Sequence, residues 1–447
     1  MDIVLLCAPS ENIAATVEDQ LQALQTLSKF RYRRLPVKGN FDGNLCLDRF
    51  DALVLHYSLV VSDDRYLSRE SRRRISAFHG LKAMFIQDEY RFVNRTIAAM
   101  QEMGIDLLFT CVSNSEVEKV YPSEMLPGMK KVNVLTGYVP SHLLKTRVPS
   151  YAERPIDVGY RGRCVPMWLG ELGQDKWRIG PRFLEDSKAY GLKCDIAYRE
   201  EDRLYGKAWI DFLCNCKATL GVESGASVFD FTGDVQRQVE EHELRQPQAT
   251  FGELSRLYFA HLEGKISLNQ ISPRSFECAA LRTVMILYEG EYSGILKPWQ
   301  HYIPLKKDHS NMPEVVSALK SRELCERLVE QAFREIAENP AYGYEAFVSK
   351  VDKAMNECFR PSMTRQGREY SDEEFSLIER RQQEGVYLFQ FTSKVLRALH
   401  FLIFRVLFGW ASPERKRAIH LRLRRYYRDS RKWVMEWMRK PTGMTLV

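Results

Sequence analysis

Short apolar runs alternate with amphipathic stretches along this chain, and the alternation occurs twice. Residues 2–7, 32–37, 50–56, 83–87, 107–112 and 132–135 read as strands, with stretches of helical periodicity at 14–29, 67–79 and 98–103 between them. Alternation of this length calls for a mostly parallel sheet with helices on both faces. A polar stretch bounded by Pro140 and Pro155 is the best linker. The pattern then restarts, with strands at 156–160, 193–198, 218–222 and 283–288. Helices are expected at 180–190, 206–216, 250–262, 312–319, 321–338 and 342–359, and a loop-rich insertion after 222. The expected fold class is α/β: two facing Rossmann-like domains plus a basic amphipathic helical C-terminal extension. The expected boundaries are 1–141, a linker at 142–154, a second domain at 155–362 and a tail at 363–447.

A chain of 447 residues is too long for one ordinary domain. Its 45% hydrophobic and 28% charged residues supply a core and argue against global disorder. The net charge of +7 is uneven. Residues 394–440 hold 14 of the 65 Lys/Arg and 3 of the 58 Asp/Glu, leaving 51 basic and 55 acidic residues elsewhere. The body is therefore slightly acidic and the tail strongly basic, which speaks against a general nucleic-acid binder. Within the tail, 372–384 reads as a charged helix, 395–410 as an apolar helix striped by Arg397, His400 and Arg405, and 413–438 as an Arg-rich helix with Trp433 and Trp437. An anionic membrane surface, a protein partner or a nucleic-acid patch each suits such helices, and the membrane suits them best. No apolar run reaches the 18 or so residues of a spanning helix. No secretory signal is expected, and ten cysteines without CxxC pairs or zinc spacing suggest reduced thiols. The expected compartment is the cytoplasm, at the inner face of the cell membrane.

Three segments carry chemistry. Ser272-Pro273 opens a helix that runs into the buried strand 283–288, with Glu289 and Glu291 directly after it. Arg274 and Glu277 lie about one turn apart at that helix start. Val158-Gly-Tyr-Arg-Gly-Arg163 ends the first strand after the linker, and Leu220-Gly-Val-Glu-Ser-Gly-Ala-Ser227 runs from a strand into small hydroxyl residues. Ligands of open α/β sheets bind outside the carboxyl ends of strands, where all three segments fall. No GxGxxG follows the first strand, so the first half is not a dinucleotide fingerprint.

The order of these segments resembles the donor domain of GT-B type glycosyltransferases, over about residues 154–357. The loop at 158–163 is similar to the "VGR" loop of glycosyltransferase family 4. His301-Tyr-Ile-Pro-Leu-Lys-Lys-Asp-His-Ser-Asn311 is similar to the end of the donor domain in spore-maturation and polysaccharide-cluster glycosyltransferases. The resemblance implies that Arg161 or Arg163 reaches the donor diphosphate, with Gly159 and Gly162 letting backbone approach it. It implies that Glu277 holds the ribose. Arg274, Glu223 and Ser224 are further donor-site candidates. Family 4 enzymes carry a first Glu eight residues before the ribose Glu, and here Asn269 stands there. That departure weakens a retaining mechanism; Glu289 and Glu291 are the carboxylates placed to compensate. An inverting transfer needs a general base from the first half, for which His56 and Asp88 or Glu89 are candidates. The resulting expectation is a metal-independent transferase with no cofactor beyond its nucleotide-sugar donor. Its acceptor is a surface-polysaccharide or lipid-linked glycan, its tail binds an anionic membrane, and nucleic acid is not a partner. A nucleotide-sugar epimerase, or a non-catalytic scaffold of a polysaccharide assembly complex, are the alternatives.

Overall fold

The computed structural model describes residues 1–9 and 14–408. The first half runs β1 (Asp2–Cys7), α1 (Ala15–Leu27), β2 (Arg31–Pro36), β3 (Ala52–Leu55), α2 (Arg69–Ala77), β4 (Leu81–Phe85), α3 (Val93–Met103), β5 (Leu107–Thr110), α4 (Val117–Val120) and β6 (Lys130–Asn133). The second runs β7 (Ile156–Arg161), α5 (Gly170–Ser187), β8 (Cys194–Ala197), α6 (Gly206–Asn215), β9 (Cys216–Gly221), α7 (Asp234–Arg245), α8 (Phe251–Leu254), α9 (Pro273–Ala280), β10 (Val284–Tyr288) and β11 (Ile303–Leu305). Helices α10 (Met312–Lys320), α11 (Arg322–Ala332), α12 (Tyr344–Cys358) and α13 (Asp372–Phe408) follow.

The strands form two sheets, ordered β2-β1-β3-β4-β5-β6 and β11-β10-β9-β7-β8. Every strand pairing is parallel. The expected α/β class with two Rossmann-like sheets is therefore present. Side-chain alternation divides each strand between two covered faces. In β1, Ile3 and Leu5 pack with α1 and α12, while Val4 and Leu6 pack with α2 and α3. In both sheets the first strand lies between the second and the third. The strand order thus reverses between β1 and β3 and again between β7 and β9, which opens a crevice at the carboxyl ends of those strands.

Four expectations differ from the structure. Helix α5 begins at Gly170, not 180, and carries Pro181 inside it. The Gly180-Pro181 pair had the look of a helix start, but the apolar stripe Leu169, Leu172, Ile179 and Phe183 continues across it. The region after 222 contains a helix, α7, whose mostly polar surface hid its period. Helix α12 belongs to the first half: Tyr344, Phe347, Val348 and Val351 are buried with Ile3 and Leu5, so the chain leaves the second sheet before 362. Finally, α13 is one continuous helix to Phe408, and its start is not a free tail. Tyr370, Phe375 and Ile378 are buried in the first half's core, and Arg33 Nη2 donates to the Tyr370 carbonyl at 2.6 Å.

Both sheets lie in one compact unit, residues 1–383. The described part of the second unit, from 384 to 408, is the remainder of α13, and the Arg-rich helix expected at 413–438 lies outside the described residues. Among the described residues no helix is long and apolar enough to cross a membrane. None of the ten cysteines is in a disulfide.

Candidate functional site

A cleft of about 340 Å³ opens at the crevice of the second sheet. The ends of β7 and β9 line it, through Arg161–Arg163 and through Gly221, Val222 and Ser224. Ser272, Arg274, Ser275 and Glu277 of the α9 start form one wall, and Ala14–Thr16 and Tyr90 of the first half face them. Among the described residues, five Lys/Arg side chains line it (Arg161, Arg163, Lys176, Arg203 and Arg274) against one carboxylate, Glu277. Its electrostatics therefore suit an anion.

The starts of α5 and α9 differ in how their amides are satisfied. At the start of α5, the Glu171 amide donates to Glu263 Oε1 at 3.1 Å and the Leu172 amide donates to Ser227 Oγ at 3.1 Å. That end is already capped from within. At α9, Ser272 is extended and makes no side-chain cap, Pro273 at the first position has no N–H, and the Ser275 amide donates to the Ser272 carbonyl at 2.9 Å. The α9 first turn faces the cleft with the positive end of its dipole toward it, a ready anion site.

Around that turn the side chains are tightly arranged. Glu277 is buried, and Trp209 Nε1 donates to its Oε2 at 2.8 Å. Burial holds its carboxyl above the usual range; the Trp209 bond and the Arg274 charge oppose that shift, and the Asp19 carboxylate adds to it. Arg274 lies over the Tyr160 and Trp209 rings, 5.1 and 4.9 Å from their centroids, and donates to the Arg161 carbonyl at 2.8 Å. Lys176, on α5, lines the cleft with Nζ 3.0 Å from the Gly225 carbonyl. Burial lowers its pKa, the Asp88 carboxylate opposes the shift, and Arg163 adds to it.

The structure separates the two candidate arginines. Arg161 donates to Asp195 Oδ2 at 3.0 Å and lies over Phe212, 4.1 Å from its ring centroid, so its guanidinium ties β7 to β8. Arg163 is exposed, lines the cleft, and is in no ion pair among the described residues. It is the arginine free to meet a phosphate.

Several other expected site residues have structural roles instead. Gly159 is a packing glycine inside β7, where a Cβ would collide with Cys216 Sγ and the Phe212 ring; Gly162 is the glycine on the cleft. Glu223 is buried, and its Oε1 accepts from the amides of Glu291 and Tyr292, both at 2.8 Å. Its Oε2 accepts from Asn269 Nδ2 at 2.7 Å, so the Asn at the expected carboxylate position clamps a loop. Ser224 lines the cleft and pairs its backbone with Gln270. Glu289 is exposed and outside the cleft lining, and does not compensate for the missing carboxylate.

His56 is also corrected. It is fully buried, its Nδ1 accepts from the Ser58 amide at 3.2 Å, and the opposite Nε2–H is placed to donate to Gln20 Oε1 at 3.2 Å. Burial, with the charge of Arg34, pushes its pKa down to about 3. A neutral ring with both nitrogens engaged inside the first sheet takes no proton from a substrate. Asp88 remains: it is exposed, held at φ 54° directly after the β4 end, and accepts from the Tyr90 hydroxyl at 3.0 Å. It is outside the cleft lining itself, but its neighbour Tyr90 lines the cleft and its carboxylate acts on the charge of Lys176. Its neighbour Glu89 turns inward and is buried among Thr110, Tyr121 and the Cys111 amide.

Lys176, Trp209 and Tyr90 were not legible as site residues. The signal for Lys176 was present: it falls between Leu172 and Ile179 on the inward stripe of α5, and a lysine on an inward face is unusual.

No protein-family model matches the chain, and no curated protein matches its sequence. Solved structures with a similar backbone include TarM (10% identity, 68% of this chain, TM-score 0.37), of which the chain spans 54%. HepE of Anabaena in complex with UDP is similar at 8% identity over 80% of this chain and 100% of that one, with a TM-score of 0.44. An alpha-glucosyltransferase in complex with UDP-glucose and DNA containing an abasic site is similar at 11% identity over 80% and 99%, with a TM-score of 0.46. These likenesses are partial, and the fold assignment rests on the two sheets themselves.

Proposed function

We propose that the protein is a glycosyltransferase that takes a sugar from a nucleotide-sugar donor held in this cleft. The observation that carries the reading is the meeting of Arg163, Lys176, Arg274 and the uncapped start of α9 with one buried carboxylate, Glu277, at the crevice of the second sheet. In this reading Arg163, Lys176 and the α9 amides neutralise the diphosphate, and the charge that grows on it as the glycosidic bond breaks is stabilised where it forms. No metal is assigned to that task. Glu277 accepts from the ribose hydroxyls, with Trp209 fixing its orientation. The acceptor hydroxyl enters from the first half, and its oxygen attacks the anomeric carbon. The bond to the diphosphate breaks with its electron pair on phosphate, and the proton passes to Asp88. That sequence inverts the anomeric centre, in keeping with Asn269 in place of a second carboxylate.

The acceptor in this reading is a surface-polysaccharide or lipid-linked glycan. The chain works at the cytoplasmic face of a membrane, held there by its basic tail. Tyr387, Leu388, Phe391 and Val395 of α13 are exposed at helical spacing and lead into the basic sequence after 394, which supports such an anchor. Flotation with phosphatidylglycerol vesicles that fails for Leu388→Glu/Phe391→Glu, and equally with phosphatidylcholine, is the expected result; equal flotation of both chains contradicts the anchor.

Transfer is tested with sugar-labelled UDP, GDP, ADP and CDP donors and an extract of lipid-linked glycans. Label moving to the glycan, unaffected by a chelator and lost in Asp88→Asn, is the expected outcome. Label that stays on the nucleotide with altered stereochemistry indicates the epimerase, and absence of nucleotide binding indicates the scaffold.

A further inference from the structure

The segment from Val222 to Ser272 leaves the second sheet after β9 and returns to it at α9, and on the way it is built into the first half. Phe229, Ile266 and Leu268 are buried in the same core as Val4, Leu6, Val93 and Ile97. Val228, Val235, Val239, Leu254 and Phe259 instead form a small core with Trp168 and Leu169 at the start of α5. One segment thus divides its apolar side chains between the two halves.

Backbone bonds reinforce the connection. The Asp230 amide donates to the Tyr90 carbonyl at 2.7 Å, and the Asn94 amide donates to the Phe231 carbonyl at 3.0 Å. Helix α3 needs that second bond, because Phe92 at its cap position has φ 50° and offers no side-chain acceptor. The segment supplies the missing cap. Gly233, at φ 87°, lies where a Cβ would collide with the Phe92 ring, so only glycine lets the segment pass so close. Arg91 Nη2 donates to Gln236 Oε1 at 3.0 Å, and the Ser267 amide donates to Glu116 Oε2 at 3.1 Å. A separate tie joins the halves where the chain crosses between them: Thr136 donates to the Ile271 carbonyl, and the Val139 amide donates to the Tyr342 carbonyl at 2.8 Å.

We propose that this segment is a strap that holds the two halves at one separation, so that the cleft is loaded through its mouth and not by the halves swinging apart. Parting the halves would pull Phe229, Ile266 and Leu268 out of the first half's core and uncap α3, which amounts to local unfolding. The strap also fixes Tyr90, which lines the cleft, before any substrate arrives. This holds whether or not the cleft takes a nucleotide sugar.

Amide hydrogen exchange on the full chain, with and without millimolar UDP, tests it. The amides of Asp230 and Asn94 are bonded across the halves, and the strap predicts exchange within about tenfold of β1 and β10 amides, unchanged by UDP. Exchange at these two amides about a hundredfold faster than in both sheets, or slowing by that factor when UDP binds, means that the halves open and overturns the proposal. Phe229→Ala should speed exchange at Asn94 and Asp230 while β10 stays protected. If those two amides stay as slow as in the wild type, the buried tie is not what holds the halves and the proposal falls. If Phe229→Ala unfolds the whole chain, Arg91→Ala, which removes the bond to Gln236 and the guanidinium over the Phe92 and Trp168 rings, takes its place with the same two readings.

Discussion

Glu277 faces the cleft from a buried position, with one oxygen held by Trp209 and Arg274 close by. Burial raises its pKa, and this has two consequences of opposite sign. A carboxyl whose folded pKa lies above its unfolded value favours the folded state only in its neutral form, so it costs stability as pH rises from the ordinary carboxylate range through the raised value. Glu277→Gln keeps an acceptor for Trp209 and removes that cost, so its melting midpoint should exceed the wild type's at pH 8 and match it near pH 4. In the proposed reading, by contrast, the ribose hydroxyls donate to the ionised form. Nucleotide affinity should fall as pH drops through the raised pKa, beginning above the pH at which an exposed glutamate titrates, and Glu277→Gln should lack that component. At pH 8 the variant should bind about 10–100-fold more weakly, the scale of hydrogen bonds to a charged group, roughly 1.5–3 kcal/mol. Calorimetric titrations at pH 5 and 8 read both chains. At the same scale, the residues that sequence order singled out divide by burial and partners. Glu277 and Arg163 reach the cleft, whereas Glu223, Gly159 and His56 are consumed by packing and internal bonds that no spacing rule reveals.

Helix α13 carries two different surfaces in succession. Its first turns present Phe375, Ile378 and Gln382 to the first half, and Tyr387, Leu388 and Phe391 further on are exposed. A chain ending at 362 loses Tyr370, Phe375 and Ile378 from the core, each side chain worth roughly 1.5–3 kcal/mol of burial, and should lose roughly 5 kcal/mol of stability or more in urea unfolding. A chain ending at 390 keeps those contacts and should unfold within about 1 kcal/mol of the full chain. Equal unfolding of both truncations would show that the docked turns contribute nothing. Most elements were legible because a strand covered on both faces reads as an unbroken apolar run, as in 52–55 and 284–288. Three features were not. Helix α5 was cut at a Gly-Pro pair that tertiary packing overrides, α7 is mostly polar, and the return of α12 to the first sheet is a long-range event with no local signal.

At the scale of the molecule, the cleft opens at the crevice of the second sheet, and among the described residues the Lys/Arg side chains that line it come from the second half. The first half contributes the start of α1 and Tyr90, whose carbonyl accepts from the Asp230 amide. This division, donor on one half and acceptor on the other, is the central claim, and it rests on Arg163 and Lys176 meeting a diphosphate. The most direct test is calorimetric titration of UDP, GDP, ADP and CDP into the wild type, Arg163→Ala, Lys176→Ala and Arg161→Ala at pH 8. The account predicts that at least one diphosphate binds and that Arg163→Ala and Lys176→Ala each weaken it about 10–100-fold while its nucleoside is little affected. Arg161→Ala should lower stability more than affinity. No binding of any diphosphate, or binding that is indifferent to both Arg163 and Lys176, would contradict it.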